Sequence, residues 1–140
     1  MFKIVTTQTM LEEAHNIRKK VFVEEQSVPL ENEIDQYETM ATHIIGYDKD
    51  DMPFSTGRLR PIDNGVKIER VAILATHRNK GCGKLLMEFL EKVAKDQGYQ
   101  RLMLNAQYHA QGFYESLGYQ SFGETFMEEN IKHIAMTKIM

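Results

Sequence analysis

The segment Arg78-Asn79-Lys80-Gly81-Cys82-Gly83-Lys84 carries the sharpest chemical demand in the chain. Two glycines one residue apart let the backbone turn tightly and approach a ligand. A helical pattern begins immediately after them, so the free N–H groups and the dipole of that helix start face whatever lies in the loop. Arg78, Lys80 and Lys84 add positive charge, and together these features want a phosphate or pyrophosphate. Two familiar nucleotide patterns fail. Leu86 stands where G-x-G-x-x-G needs its third glycine. Arg78 replaces the first glycine of a P-loop, and Leu85 replaces the Ser/Thr that would hold magnesium there. The two glycines alone would describe only a tight strand-to-helix turn. The strand before them, the basic residues and a second segment downstream give them chemical meaning.

Arg-x-x-Gly-x-Gly after a strand ending Val71-Ala72-Ile73 resembles the pyrophosphate loop of the GNAT superfamily, the acyl-CoA-dependent N-acetyltransferases. The stretch from Gln107 to Tyr119, with its Phe113-Tyr114 pair and Gly118-Tyr119 stop, resembles the second signature of that superfamily. Arg18 to Pro29, Gly57 to Pro61 and Ile68 to Ala72 are similar to the small bacterial ElaA-like branch. Two positions depart from the pattern. Gln107 stands where asparagine is common, and Asn130-Ile131-Lys132-His133 stands where the branch has Gly-Ile-Pro-His.

The resemblance implies acetyl-CoA as co-substrate, no metal, and direct attack of a primary amine on the thioester. It assigns the cofactor to Val71, Ala72 and Ile73 and to Arg78, Asn79, Lys80, Gly81, Cys82, Gly83 and Lys84. Backbone groups of the strand would pair with the pantetheine arm, with the N–H of Ile73 aimed at the thioester carbonyl; one such donor is worth about 2.7–4 kcal/mol. Tyr114 is the expected general acid toward the leaving thiolate. Glu69 is the candidate base, because a free lysine-type amine has a pKa of roughly 10.4 and must lose a proton; partnership with a neighbouring arginine is the competing reading. Cys82, between two glycines, is not needed as a nucleophile in direct transfer. The five histidines show no ligand spacing for a metal.

Two charge groupings bear on the acceptor. Arg58 and Arg60, two apart on one strand face, and Arg70 suit a carboxylate or phosphate. Glu24, Glu25, Glu31, Glu33 and Asp35 suit a cationic amine, and either grouping also reads as a solvated charged surface. The expected acceptor is a small-molecule amine such as an amino sugar or amino acid derivative. A protein lysine or N-terminus is the alternative, and an acyl-CoA sensor without catalysis is the competing class.

The elements that must position these groups read β-α-β-β-β-α-β-α-β. A strand at Phe2–Val5 precedes a helix that Thr9 and Glu12 would cap, with Leu11, Ala14, Ile17, Arg18, Val21 and Phe22 at helical spacing. The segment Val28–Asp35 reads as a loop. Strands follow at Thr42–Tyr47, Phe54–Arg60 and Val66–Leu74, separated by Asp48-Lys49-Asp50-Asp51 and an Asn64-Gly65 turn. Leu85, Leu86, Phe89, Leu90, Val93 and Ala94 form the stripe of the next helix, and Gly98 ends it. Arg101–Ala106 is a strand, His109–Leu117 a helix closed by Gly118, and the chain ends with a turn region and a strand near Ile131–Ile139. Short turns make neighbouring strands antiparallel, and Val66 to Ala106 should be a right-handed parallel crossover. The expectation is an α/β (α+β) domain, residues 1–140, whose mixed, mostly antiparallel sheet has helices on both faces.

Composition excludes other classes. The chain has 140 residues, 42% hydrophobic and 26% charged, with net charge −3 and no basic block for nucleic acid. One cysteine permits no internal disulfide. Met1–Met10 lacks the apolar core of a signal peptide, and no apolar run approaches a bilayer span. The expectation is a cytoplasmic protein without membrane or nucleic-acid partners. Dimers are common in the resembled family, so a homodimer is expected, although no stretch specifies its interface.

Overall fold

The computed structural model describes residues 1–140. The strands are β1 (Phe2–Ile4), β2 (Thr42–Tyr47), β3 (Pro53–Ile62), β4 (Gly65–Ile73), β5 (Arg101–Gln107), β6 (Gln120–Glu128) and β7 (Ile131–Ile139). They form one sheet in the order β1-β2-β3-β4-β5-β7-β6. Every pairing is antiparallel except β4–β5. The helices are α1 (Gln8–Arg18), α2 (Leu30–Glu33), α3 (Cys82–Asp96) and α4 (Gln111–Ser116). Two residues beside one another on β2 show that both faces are covered, since successive side chains of a strand point oppositely. Ile44 joins the core under α3 with Leu86, Met87 and Leu90, whereas Ile45 packs with Ala14, Ile17 and Val21 of the α1 segment.

Several expectations are corrected. The expected order lacked one strand: Gln120–Glu128, read as a turn region, is β6. It lies at the sheet edge with all nine residues exposed, so neither face leaves the burial alternation that marks a strand. The cap of α1 is Thr7, whose hydroxyl accepts the Met10 N–H at 3.2 Å, and not Thr9. The segment Val28–Asp35 contains the short helix α2. On α3, Met87 is buried and Leu85 is 53% exposed, which turns the apolar stripe away from Leu85. Beyond Arg18 the first helix widens into π geometry over Lys19–Glu25, with Gln26 N–H bonded to the Val21 carbonyl.

Both glycine stops have a common form. Gly98 (φ +92°) and Gly118 (φ +96°) adopt the left-handed conformation. Tyr99 N–H then bonds back to Ala94 O and Gly98 N–H to Lys95 O; Tyr119 N–H bonds to Tyr114 O and Gly118 N–H to Glu115 O. These are Schellman closures, which satisfy the orphan carbonyls of a helix end. The second one fixes Tyr114. Tyr119 is buried, and its ring meets that of Tyr114 edge-on at 5.9 Å; Phe113 does the same from the other side at 5.1 Å.

Candidate active site

The site begins where β4 and β5 part. Their parallel register runs only from Val66↔Leu102 to Ile68↔Leu104. The next residues of β4 form a bulge: between Thr56↔Ala72 and Arg58↔Glu69, three steps on β4 match two on β3. Arg70 takes φ +54° to accommodate it, a conformation that non-glycine residues seldom adopt. A bulge bends its strand and ends pairing. The gap so opened holds a cavity of about 260 Å³. Glu69 and Val71 of β4, Asn105 and Gln107 of β5, and Tyr114 of α4 all line it. Phe22 and Gln26, delivered by the widened end of the first helix, close it from the other face.

The bulge also decides which backbone groups of β4 are free. Leu74 N–H donates to Phe54 O on β3 at 2.9 Å. Amide directions alternate along an extended strand, so the N–H of Ile73 points to the opposite edge, the one β5 has left. The Ile73 carbonyl points the same way and accepts from Arg78 Nε at 2.9 Å. Ala72 lies opposite Thr56, and by the same alternation its polar backbone turns toward β3. Of the three strand residues expected to touch a cofactor, Val71 and Ile73 therefore present the open edge and Ala72 does not.

The loop follows directly. Asn79 (φ +62°) and Gly81 (φ +80°) are both left-handed. Such alternating backbone makes a concave nest of N–H groups. No side chain caps α3, so the first amides of this 15-residue helix have no intrahelical partner. A Cβ on Gly81 would meet nothing within 4 Å, which leaves the nest open to a ligand. Gly83 serves a different purpose: a Cβ there would lie 3.2 Å from the Phe113 ring, so the glycine lets α4 pack against α3 beside Tyr114. Lys80, Lys84 and Asn79 are exposed around the loop, and Cys82 is half-buried in the first turn. Arg78 is partly committed, pairing with Glu25 at 2.8 Å and so tying the loop to the end of the first helix.

Tyr114 is partly buried against the core, and burial pushes its phenol up to about 12. No charge or hydrogen bond shares in that shift. The hydroxyl thus stays protonated through the physiological range. Glu69 lines the same cavity, but its carboxylate is shared. Arg58 reaches it at 3.0 Å, Arg60 at 2.9 Å and Lys67 at 3.4 Å. Burial pushes its pKa up; the hydrogen bond from Arg60 and the charges of Arg58 and Lys67 outweigh this and hold it below the usual range. Its partners are Arg58, Arg60 and Lys67, not its neighbour Arg70. Gln107 spends its amide within the chain: Nε2 donates to Gln26 Oε1 at 2.9 Å, and Oε1 accepts from His109 Nε2 at 2.8 Å.

Only part of the two charge groupings forms a buried network, with Arg58 and Glu33 inside it; Glu24, Glu25 and Glu31 are exposed, and Arg60 and Arg70 line a cavity. Arg58 is fully buried, with Asp35 at 2.7 Å, Glu38 at 3.0 Å and Glu69 at 3.0 Å. Arg18 is buried between Glu33 and Glu38, the latter at 2.7 Å. Burial works against the Arg58 charge, but the hydrogen bond it donates to Asp35 and the charges of Glu69 and Asp35 raise its pKa on balance. Burial, with the nearby charges of Arg58 and Arg18, lowers that of Arg70. Sequence reasoning missed Arg18 and Glu38 as part of the site's foundation. The signal was present, because Arg18 falls on the apolar stripe of α1, where a charge needs a partner.

A second cavity of about 340 Å³ adjoins the first and shares Glu69, Arg70, Glu128 and His133 with it. Arg60 and Lys67 also line it, and Glu129 faces them from the β6–β7 turn.

An opened strand pair, an N–H nest at a helix start and a partly buried tyrosine on the intervening cavity match what the resemblance to the acyl-CoA-dependent N-acetyltransferases implies. Comparison with known proteins agrees. Residues 6–140 match the acetyltransferase (GNAT) domain. The uncharacterized N-acetyltransferase YjcF of Bacillus subtilis is 40% identical over 136 residues, 96% of this chain and 96% of that protein. The crystal structure of an acyl-CoA N-acyltransferase from Pseudomonas aeruginosa superposes with TM-score 0.90 at 26% identity, covering 99% of this chain and 98% of that one. Escherichia coli ElaA superposes with TM-score 0.88, also at 26% identity and over the same shares. The chain belongs to the GNAT family of N-acetyltransferases, with ElaA among its relatives.

Proposed function

We propose that this N-acetyltransferase binds acetyl-CoA along the free edge of β4 and passes the acetyl group directly to the primary amine of a small molecule. The observation that carries the proposal is the bulge at Arg70, which opens β4 from β5 between the glycine loop and the Tyr114 cavity. The residues present fit the co-substrate. The nest at Asn79–Gly81 and the first amides of α3 suit its pyrophosphate, with Lys80 and Lys84 adding charge. The backbone that Val71 and Ile73 turn to the open edge suits its amide-bearing arm, and the Ile73 N–H suits the charge that develops on the thioester oxygen.

Tyr114 supports departure of the thiolate. A phenol near 12 donating to a thiolate whose acid form titrates near 8.5 faces a full transfer uphill by roughly 5 kcal/mol. The hydroxyl therefore acts first as a hydrogen-bond donor to the sulfur, and its proton passes only as the amine replaces it. Glu69, as a proton acceptor, would have to take a proton while three cations hold its charge.

The second cavity suits a compact acceptor, since about 340 Å³ falls in the range of small-molecule sites. Its walls carry both signs, Arg60, Lys67 and Arg70 against Glu128 and Glu129. That favours an amine bearing an acidic group, such as an amino acid or acidic amino sugar derivative. The test is release of free CoA thiol from acetyl-CoA in the presence of amino acids, amino sugars and lysine peptides. Release with the first two classes supports the proposal, and release with peptides alone contradicts the small-molecule reading. Tight binding without release from any amine would make the protein a sensor.

A further inference from the structure

We propose that His133 is the catalytic base for this chain, its Nε2 taking a proton from the acceptor amine; the proposal rests on the acetyl transfer reading above. His133 sits on β7 between Gln107 of β5 and Phe126 of β6 and is buried. It lines both cavities, where the acyl side and the acceptor side meet. Its Nδ1 is 2.7 Å from the carbonyl oxygen of Ile131. A carbonyl only accepts, so in the neutral ring the proton resides on Nδ1 and Nε2 keeps its lone pair. Phe126 stacks on the ring at 5.9 Å and 22°, which holds its plane. Nε2 has one charged neighbour, Glu128 Oε2 at 3.7 Å, placed to steady an imidazolium once it forms.

The other groups in the cavity are worse placed. Glu69 is held by Arg58, Arg60 and Lys67, which makes it a positioning residue for those cations. His109 is exposed, and its Nε2 donates to Gln107 Oε1, an atom that only accepts. The charged groups facing the cavities with His133 are Lys67, Glu69 and Arg70 from β4, Arg60 from β3, Glu33 of α2 with Asp35 beside it, and Glu128 and Glu129 at the β6–β7 turn.

The proton count closes. An acceptor arriving as R–NH3⁺ forms the C–N bond as the C–S bond breaks, giving the N-acetyl amide, CoA thiol and one released proton. The nitrogen gives up two protons in all. One goes to His133 Nε2 and on to solvent. The other replaces the proton that Tyr114 lends to the sulfur.

Two measurements test the proposal. In the free protein at pH 7.5, two-bond nitrogen–proton NMR of the His133 ring should show the proton on Nδ1; a proton on Nε2 with Nδ1 bare overturns the proposal whatever acceptor is found. With an acceptor from the amine panel, His133→Gln should lower kcat on the order of 100-fold, the scale of general base catalysis. It should also remove the acidic limb of the kcat–pH profile while acetyl-CoA binding by calorimetry stays at the wild-type value. Glu69→Gln should keep that limb. An acidic limb unchanged in His133→Gln, or lost in Glu69→Gln and kept in His133→Gln, overturns the role of His133. Absence of acetyl-CoA binding by the wild-type protein would instead overturn the acetyl transfer reading.

Discussion

Replacing Tyr114 by phenylalanine separates chemistry from architecture because the two contributions of this side chain use different atoms. The ring is held edge-on by Phe113 at 5.1 Å and Tyr119 at 5.9 Å, and both contacts survive in the variant. Burial alone raises the phenol to about 12, so no ion pair or hydrogen bond is lost with the oxygen. Stability should therefore stay within about 1 kcal/mol of wild type. The catalytic effect should be far larger. A positioned proton donor contributes roughly 10²–10⁴ in rate, which corresponds to about 2.7–5.4 kcal/mol of barrier. The assay is single-turnover release of CoA thiol at saturating acceptor, with acetyl-CoA affinity measured by calorimetry and stability by urea unfolding. A rate at least 100-fold lower, with affinity and unfolding midpoint unchanged, is expected. A rate within twofold of wild type would remove Tyr114 from the mechanism, and a large loss of stability would show that the hydroxyl has a structural partner.

Further perturbations address the loop and the buried charges. Gly81→Val meets open space, so its cost is the φ of +80°, roughly 1–2 kcal/mol; acetyl-CoA affinity by calorimetry should fall at least about tenfold while far-UV circular dichroism is retained, and wild-type affinity would refute the loop's role. Arg58→Leu leaves Asp35, Glu38 and Glu69 facing one another without their shared cation. It should cost about 3–5 kcal/mol by urea unfolding, and a loss under 1 kcal/mol would contradict the network. The network also sets an acid limit. Burial pushes Asp35 and Glu38 up, but Arg58 and Arg18 respectively bring both down to about 2, from ordinary values of 3.8 and 4.5. Because the folded-state values are the lower ones, their stabilisation is fully present above about pH 4.5 and is lost as pH falls toward 2. The urea midpoint should decline gently below about pH 6.5, where burial of His43 lowers its pKa, and steeply below about 4.5; Glu38→Gln should flatten the lower drop, and an equally steep decline in the variant would place its cause elsewhere.

What the sequence made legible follows short-range rules. The glycine loop, the α3 helix after it and the stops at Gly98 and Gly118 each depend on residues within a few positions of one another, and the parallel β4–β5 pairing follows from the rule for strand–helix–strand units; all are found. The unread parts depend on distance. The bulge at Arg70 carries no glycine to announce it; it is imposed by pairing with β3. Thr9 fits a capping box, yet Thr7 caps, because the chain leaves the sheet just before it: Val5 N–H still bonds to His43 O. Arg18 and Arg58 sit in apolar or alternating patterns as if neutral, and the carboxylates that allow this lie 11 to 23 residues away in sequence. Burial removes Arg58 from the suspected acceptor clamp, while Arg60 and Arg70 line the second cavity. His133 gained significance only when β7 was placed between β5 and β6, beside Gln107. No helix is long and apolar enough to cross a membrane.

The most direct test of the central claim is a calorimetric titration of the purified protein with acetyl-CoA, beside CoA, ATP and NAD. Saturable binding of acetyl-CoA and CoA, with none of ATP or NAD and with loss in Gly81→Val, is the predicted result. Binding of ATP or NAD in place of acetyl-CoA, or no binding at all, would contradict the assignment of the opened β4 edge and glycine loop to an acyl-CoA.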